Sequence, residues 1–124
     1  MKLFTIDEAN AMLPELRTKL EQIQKLYAGI SEMRDQARAA AAASEFGGGM
    51  EGGSGYVHSL YEIGKITTEI NDAGVQLKDY TRGLIDFPMM RGGRIVLLCW
   101  QLGEGDEIEW WHDTDAGFAG RQPL

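Results

Sequence analysis

One cysteine, Cys99, stands in a chain of 124 residues, so no disulfide can close within it. A disulfide-held scaffold is excluded, and a reducing compartment, the cytoplasm, is the natural expectation. Basic residues are scarce: 12 Lys and Arg against 19 Asp and Glu leave a net charge of −7. That argues against a nucleic-acid partner, whose phosphates are bound mainly by Lys and Arg, and against docking on an anionic membrane. No stretch approaches the ~20 apolar residues of a membrane-spanning helix. The opening residues, Met1-Lys2-Leu3-Phe4-Thr5-Ile6-Asp7-Glu8, meet acids before any apolar run develops and do not read as a signal peptide.

What is present divides the chain in two. Thr5-x-x-Glu8 is a capping box, and behind it Leu13, Leu16, Leu20, Ile23, Tyr27 and Ile30 recur at alternating intervals of three and four. That is the seam of a helix packed on another helix, predicted from about Ile6 to about Ser44. Pro14 falls inside the pattern, where it either kinks the helix or marks the start of its regular part. Six of the eleven residues from Phe46 to Tyr56 are Gly, which predicts a flexible tip. A phosphate-cradling loop is disfavoured there, since no Lys-Ser/Thr follows and no strand precedes. Ile63, Ile66, Ile70, Ala73, Leu77 and Tyr80 give a second seam, predicting a helix from about Val57 to Thr81, ended by Gly83 and antiparallel to the first.

After Gly83 the pattern changes. Leu84 to Pro88 reads as short and extended, Met89 to Gly93 as a turn, and Arg94 to Trp100 as a strand apolar on both faces. Gly103-Glu104-Gly105-Asp106 predicts a hairpin turn into a returning strand, Glu107 to His112. Symmetric pairing about that turn sets Gln101 opposite Ile108, Cys99 opposite Trp110 and Leu97 opposite His112, with Cys99, Ile108, Trp110 and His112 on one face. The expected class is α+β: one domain, a long antiparallel helical hairpin, a small antiparallel sheet of two or three strands over residues 84–112, and an ordered tail over 113–124.

Several of these segments resemble a bacterial family catalogued as domain of unknown function 2203. The resemblance rests on Phe4-Thr5-x-x-Glu8-Ala9-Asn10-x-x-Leu13-Pro14 at the start and on Leu77-Lys78-Asp79 with Arg82-Gly83-Leu84-x-Asp86-Phe87-Pro88 in the middle. It continues through Leu98-Cys99-Trp100-x-Leu102-Gly103-Glu104 and the run from Trp111-His112-Asp113 to Leu124. It covers nearly the whole chain apart from the glycine-rich tip. It implies no established activity.

The residues with chemistry gather in the last third. Asp86, Cys99, His112 and Asp113, with Glu104 nearby, are ligand types for zinc or iron, and a His on one strand beside a Cys on its neighbour is workable geometry. Their spacing matches no standard metal motif. The plainer reading makes Cys99 a small buried apolar residue and His112 the partner of a carboxylate. His112 with Asp113, Asp86 or Glu104 also supplies a base and its orienting carboxylate, although no substrate is indicated. Arg82, Trp100, Trp111, Asp115, Phe118 and Arg121 offer stacking surface and charge for a small ligand. Against that, paired Trp commonly serve the core, and Arg82 with Asp79 or Asp86 and Arg121 with Asp113 or Asp115 make ordinary salt bridges. The acids Glu104, Asp106, Glu107, Glu109, Asp113 and Asp115 read either as a solvated face or as a cation site, and His58 as solvated. Met12, Leu26, Met33, Val57, Leu60 and Tyr61 lie off both seams and predict a homodimer that covers them. The leading expectation is an interaction or ligand-binding module. The alternative is a small metal-binding protein or metal-dependent hydrolase.

Overall fold

The computed structural model describes residues 1–43 and 53–124. It is α+β: helix α1 (Ile6–Ala43), helix α2 (Gly53–Asp72), then strands β1 (Gln76–Asp79), β2 (Leu84–Arg91), β3 (Arg94–Gln101), β4 (Trp110–Asp113) and β5 (Gln122–Pro123), with a short 3₁₀ turn at Phe118–Gly120. The strands form one antiparallel meander in chain order.

The capping box forms as the sequence predicts. Thr5 N–H donates to Glu8 Oε1 at 2.9 Å, and Glu8 N–H to Thr5 Oγ1 at 3.1 Å. These bonds to Thr5 hold the Glu8 carboxyl below its usual range. The helix begins at Ile6 and runs through Pro14, so regular helix does not wait for the proline. Leu13, Leu16, Leu20, Ile23 and Ile30 are buried, while Tyr27 is exposed and stacks on Tyr80. The helices are antiparallel neighbours: Lys19 reaches Glu69 at 3.5 Å, and Met33 Cε lies beside Gly55.

The second helix differs from expectation at both ends. It starts at Gly53, so the last residues of the expected flexible tip are helical; the rest of that tip lies outside the described residues. It ends at Asp72, not at Thr81. Val75 N–H donates to Ile70 O at 3.2 Å and Gly74 N–H to Asn71 O at 2.9 Å, with Gly74 at φ 89°. This pair of bonds closes a helix through a left-handed glycine. Leu77 and Tyr80 continue the helical spacing by coincidence, and their segment forms β1. Gly83 sits instead in the β1–β2 turn.

Five strands, rather than two or three, make the sheet. One of the extra strands came from the segment assigned to the helix, and β5 comes from the tail, where Trp110 pairs Pro123 and Trp111 pairs Gln122. The β2 strand continues past Pro88 to Arg91, and only Gly92 and Gly93 turn the chain, with φ 59° and 80°. Two consecutive positive φ values suit the right-handed twist of a two-residue hairpin. Pro88 is tolerated because N–H and C=O of one strand residue point the same way. Its carbonyl accepts from Phe4 N–H at 2.7 Å, so its missing donor faces the N-terminal segment and not β3.

Alternation gives the sheet two unlike faces. Ile85, Phe87, Met89, Val96, Leu98, Trp100 and Trp111 join Leu13, Leu16, Leu20, Ile23, Ile66 and Ile70 in one apolar core under the helices. Leu84, Asp86, Leu97, Cys99 and His112 point the other way and are buried as well, beneath the chain that follows β4. Met12 and Leu26 pack against the core and Met33 is half-buried, leaving Val57, Leu60 and Tyr61 as the exposed part of the predicted homodimer surface.

Candidate functional site

The face turned from the helices carries polar side chains buried as deeply as the core. Asp86 on β2, Cys99 on β3 and His112 on β4 are 2%, 0% and 3% exposed. The register brings them together: Asp86 pairs Cys99, Cys99 pairs Trp110, and Leu97 pairs His112. The last two are the pairings that symmetry about the Gly103–Asp106 turn predicts. The third, Gln101 with Ile108, does not form, because Ile108 lies outside the strand and gives its N–H to Asn10 Oδ1 at 2.7 Å.

The strands of His112 and Asp86 run two places apart, about 9.6 Å between their axes, and the two residues are offset by two positions along β3. Their side chains lean over β3 until Nε2 and Oδ2 are 3.1 Å apart. The ligand atoms of Asp86, Cys99 and His112 lie within 4.8 Å of one another. His112 Nδ1 is 2.7 Å from the carbonyl of Asp113. A carbonyl only accepts, so Nδ1 carries the proton and Nε2 is the nitrogen turned to the other two groups. A neutral imidazole of that tautomer presents a lone pair to a carboxylate oxygen. The contact therefore requires a proton, or a cation, between them. Asp86 Oδ1 is buried with no hydrogen-bond partner among the described residues, an uncommon condition for a native carboxylate. Burial first, and then the neighbouring Asp86 charge, push the Cys99 thiol up to about 12; Arg121, whose Nη1 is 3.9 Å from Sγ, opposes this. Without a cation, Cys99 is an inert thiol at neutral pH.

The chain after β4 roofs this cluster. Arg121 forks onto Glu104 with bonds of 3.0 and 2.9 Å, and Gln101 N–H donates to the same carboxylate at 2.7 Å. The Arg121 guanidinium lies 4.9 Å from the Trp110 ring and 4.2 Å from the Phe118 ring, while Arg82 stacks on Phe118 from 4.1 Å. Arg82 is positioned by the turn before it, where Asp79 Oδ1 accepts from Thr81 N–H and Oγ1 and from Arg82 N–H. Its side chain donates to Gln101 Oε1 at 2.7 Å. Between roof and sheet lies a cavity of about 160 Å³, lined by Asp86 and His112 with Lys78, Leu84, Leu97, Thr114, Gly117 and Phe118.

Of the four metal-ligand candidates, three converge. Asp113 does not join them: alternation turns its carboxylate to the opposite face, where it pairs Arg94 at 3.0 Å, and only its carbonyl reaches His112. The ligand-binding candidates divide likewise. Phe118 lines the cavity, and Arg82 and Arg121 clamp Phe118. Trp100 lies in the helix-side core with its indole N–H on Gly105 O, Trp111 shares that face under the Arg91 guanidinium, and Asp115 is exposed. The expected carboxylate partners of both arginines are replaced: Arg121 takes Glu104, and the Arg82 side chain takes Gln101. Sequence reasoning missed Lys78, Leu84, Leu97 and Thr114 as lining residues. Alternation from Asp86 and Cys99 contains the signal for the two leucines, whereas Lys78 was hidden in the overextended helix.

The chain matches the model of the family described as "Uncharacterized conserved protein (DUF2203)" over residues 2–124 and belongs to that family. No curated protein and no solved structure matches it.

Proposed function

We propose that this protein binds one divalent metal ion, zinc or iron, through Asp86, Cys99 Sγ and His112 Nε2. The observation that carries the reading is the convergence of three ligand types from three strands, with the histidine tautomer set by a backbone carbonyl. Metal-bound histidines commonly donate their second nitrogen in this way. An oxygen, nitrogen and sulfur set suits zinc or ferrous iron better than magnesium or calcium. Ligand atoms around one tetrahedral zinc stand about 3.5 Å apart, given bonds of about 2.0–2.3 Å. A spread of up to 4.8 Å therefore closes by small rotations of the three side chains. The ion would stabilise the Cys99 thiolate and lie between the His112 lone pair and the Asp86 carboxylate, whose Oδ1 has no hydrogen-bond partner among the described residues.

Elemental analysis of protein purified without a His tag tests this. About one zinc or iron per chain, lost in His112→Ala, is expected, and a binding constant that rises with pH as the thiol proton is displaced. Metal-free protein that fails to take up either ion on reconstitution would end the reading and leave Asp86–His112 as a buried polar pair.

A second reading concerns assembly, and Val57, Leu60 and Tyr61 favour it. They line one stripe of α2 and are 64%, 47% and 67% exposed. A second copy is the occupant that the flank suits. Glu62 and Lys65 lie on one side of the stripe, and antiparallel packing of two α2 helices sets each Lys65 beside the glutamate of the other copy. Light scattering at the dimer mass, shifted to the monomer by Tyr61→Glu, is the expected result; a monomer across the micromolar range would dispose of it.

A further inference from the structure

Resting on the metal reading above, we infer that the cavity beside the cluster receives a short-chain monocarboxylate, its head group completing the metal's coordination and its hydrocarbon part lying against Leu84, Leu97 and Phe118. Asp86, Cys99 and His112 all rise from one sheet face, so they approach an ion from the sheet side. The remaining position points toward the roof, where the cavity lies and where Asp86 and His112 form part of its wall. No further His, Cys, Asp or Glu joins the three among the described residues. Three protein ligands and one open position is the arrangement of sites that bind exchangeable ligands, not of closed structural sites.

The lining selects the ligand. A divalent ion held by a carboxylate, a thiolate and a neutral imidazole carries no net charge. Lys78 lines the cavity, and Arg82 stands over its Phe118 wall; neither pairs with a carboxylate among the described residues. In a chain of net charge −7, a lysine at one small opening with no ion-pair partner among the described residues favours an anion. Leu84, Leu97, Gly117 and Phe118 offer no hydrogen-bonding side chain and Thr114 offers a single hydroxyl, so the ligand is polar chiefly at its head. At about 30 Å³ per water, the space of 160 Å³ holds about five waters, or a ligand of about five or six heavy atoms. Propionate meets each condition. Phosphate supplies the charge without the apolar end, and propionamide the shape without the charge.

The experiment is titration of the cobalt-substituted full chain, followed through the thiolate-to-cobalt charge-transfer band and the visible ligand-field bands. Propionate is expected to shift the visible bands saturably. Lys78→Ala is expected to weaken that response about tenfold while the charge-transfer band stays unchanged, since Lys78 is no metal ligand. Phosphate and propionamide are expected to act at least tenfold more weakly. A charge-transfer band that forms while propionate leaves the visible bands unmoved overturns the ligand and spares the metal site. Equal responses to propionate and propionamide overturn the anion selectivity. Failure of the charge-transfer band to form at all overturns the metal reading, and this inference with it.

Discussion

The two faces of the sheet are buried to a similar degree and built on opposite principles. The face under α1 and α2 is apolar, with Phe87, Leu98 and Trp100 among seven strand side chains in one continuous core. The face under the tail encloses a carboxylate, a thiol and an imidazole, and is roofed by residues that meet it through one arginine fork and a stack of guanidinium and aromatic groups. Burial of apolar area stabilises wherever it occurs. Burial of a polar cluster stabilises little and is costly when incomplete. The first face therefore holds the protein together, and the second encloses polar groups that contribute little to stability.

The largest effect separates them directly. Phe87→Ala opens a cavity under the helices next to Phe4, whose ring meets Phe87 edge-on at 5.3 Å. A loss of about 3–5 kcal/mol is expected in urea unfolding. A loss below about 1 kcal/mol would refute the division of labour. On the other face, His112→Ala leaves Asp86 buried without its partner, a cost of about 3 kcal/mol. The double variant Asp86→Leu with His112→Leu is expected to unfold within about 1 kcal/mol of the metal-free parent while binding no metal. If it unfolds as easily as His112→Ala, the pair is structural after all.

Arg121→Ala removes the fork to Glu104 and the stack on Trp110 and Phe118. About 1–2 kcal/mol is expected. The more telling readout is hydrogen exchange: amides over 114–121 are expected to lose protection while those of β3 keep it. The smallest effect at neutral pH concerns Cys99. Its folded-state value of about 12 lies above the ordinary 9.0, so the protonated thiol contributes stability that is complete below pH 9 and is lost as pH climbs toward 12. The metal-free protein is expected to lose more stability across that window than Cys99→Ala does. Parallel pH profiles would show that the thiol is not held protonated by its surroundings.

Legibility in the sequence followed the range of the interactions. The capping box joins residues three apart, and its form was plain in Thr5 and Glu8. The seam of α1 and the alternation of β3 are periodic signals of a single element. The end of α2 was misread because Leu77 and Tyr80 kept the helical period, although the glycine that stops the helix, Gly74, lay in view. β5 was invisible, since two residues carry no period and pair only because the tail returns to β4. In the site, Cys99 and His112 were legible on one face of neighbouring strands because pairing counted symmetrically about Gly103–Asp106 puts both there, although the connection itself is longer than a tight turn. Asp113 was wrongly grouped with them because neighbours in sequence point to opposite faces of a strand.

By itself, the sequence determined the class of the protein, the long capped helix, the strand that carries Cys99 and the residue types available for chemistry. These depend on local propensity, periodicity and composition. Only the tertiary structure decided that Asp86, from a strand two places away, meets His112 over Cys99, that Arg121 takes Glu104, and that Lys78 lines the cavity beneath Phe118. Such contacts join residues far apart in the chain, and they exist only once the sheet is assembled and the tail has closed over it.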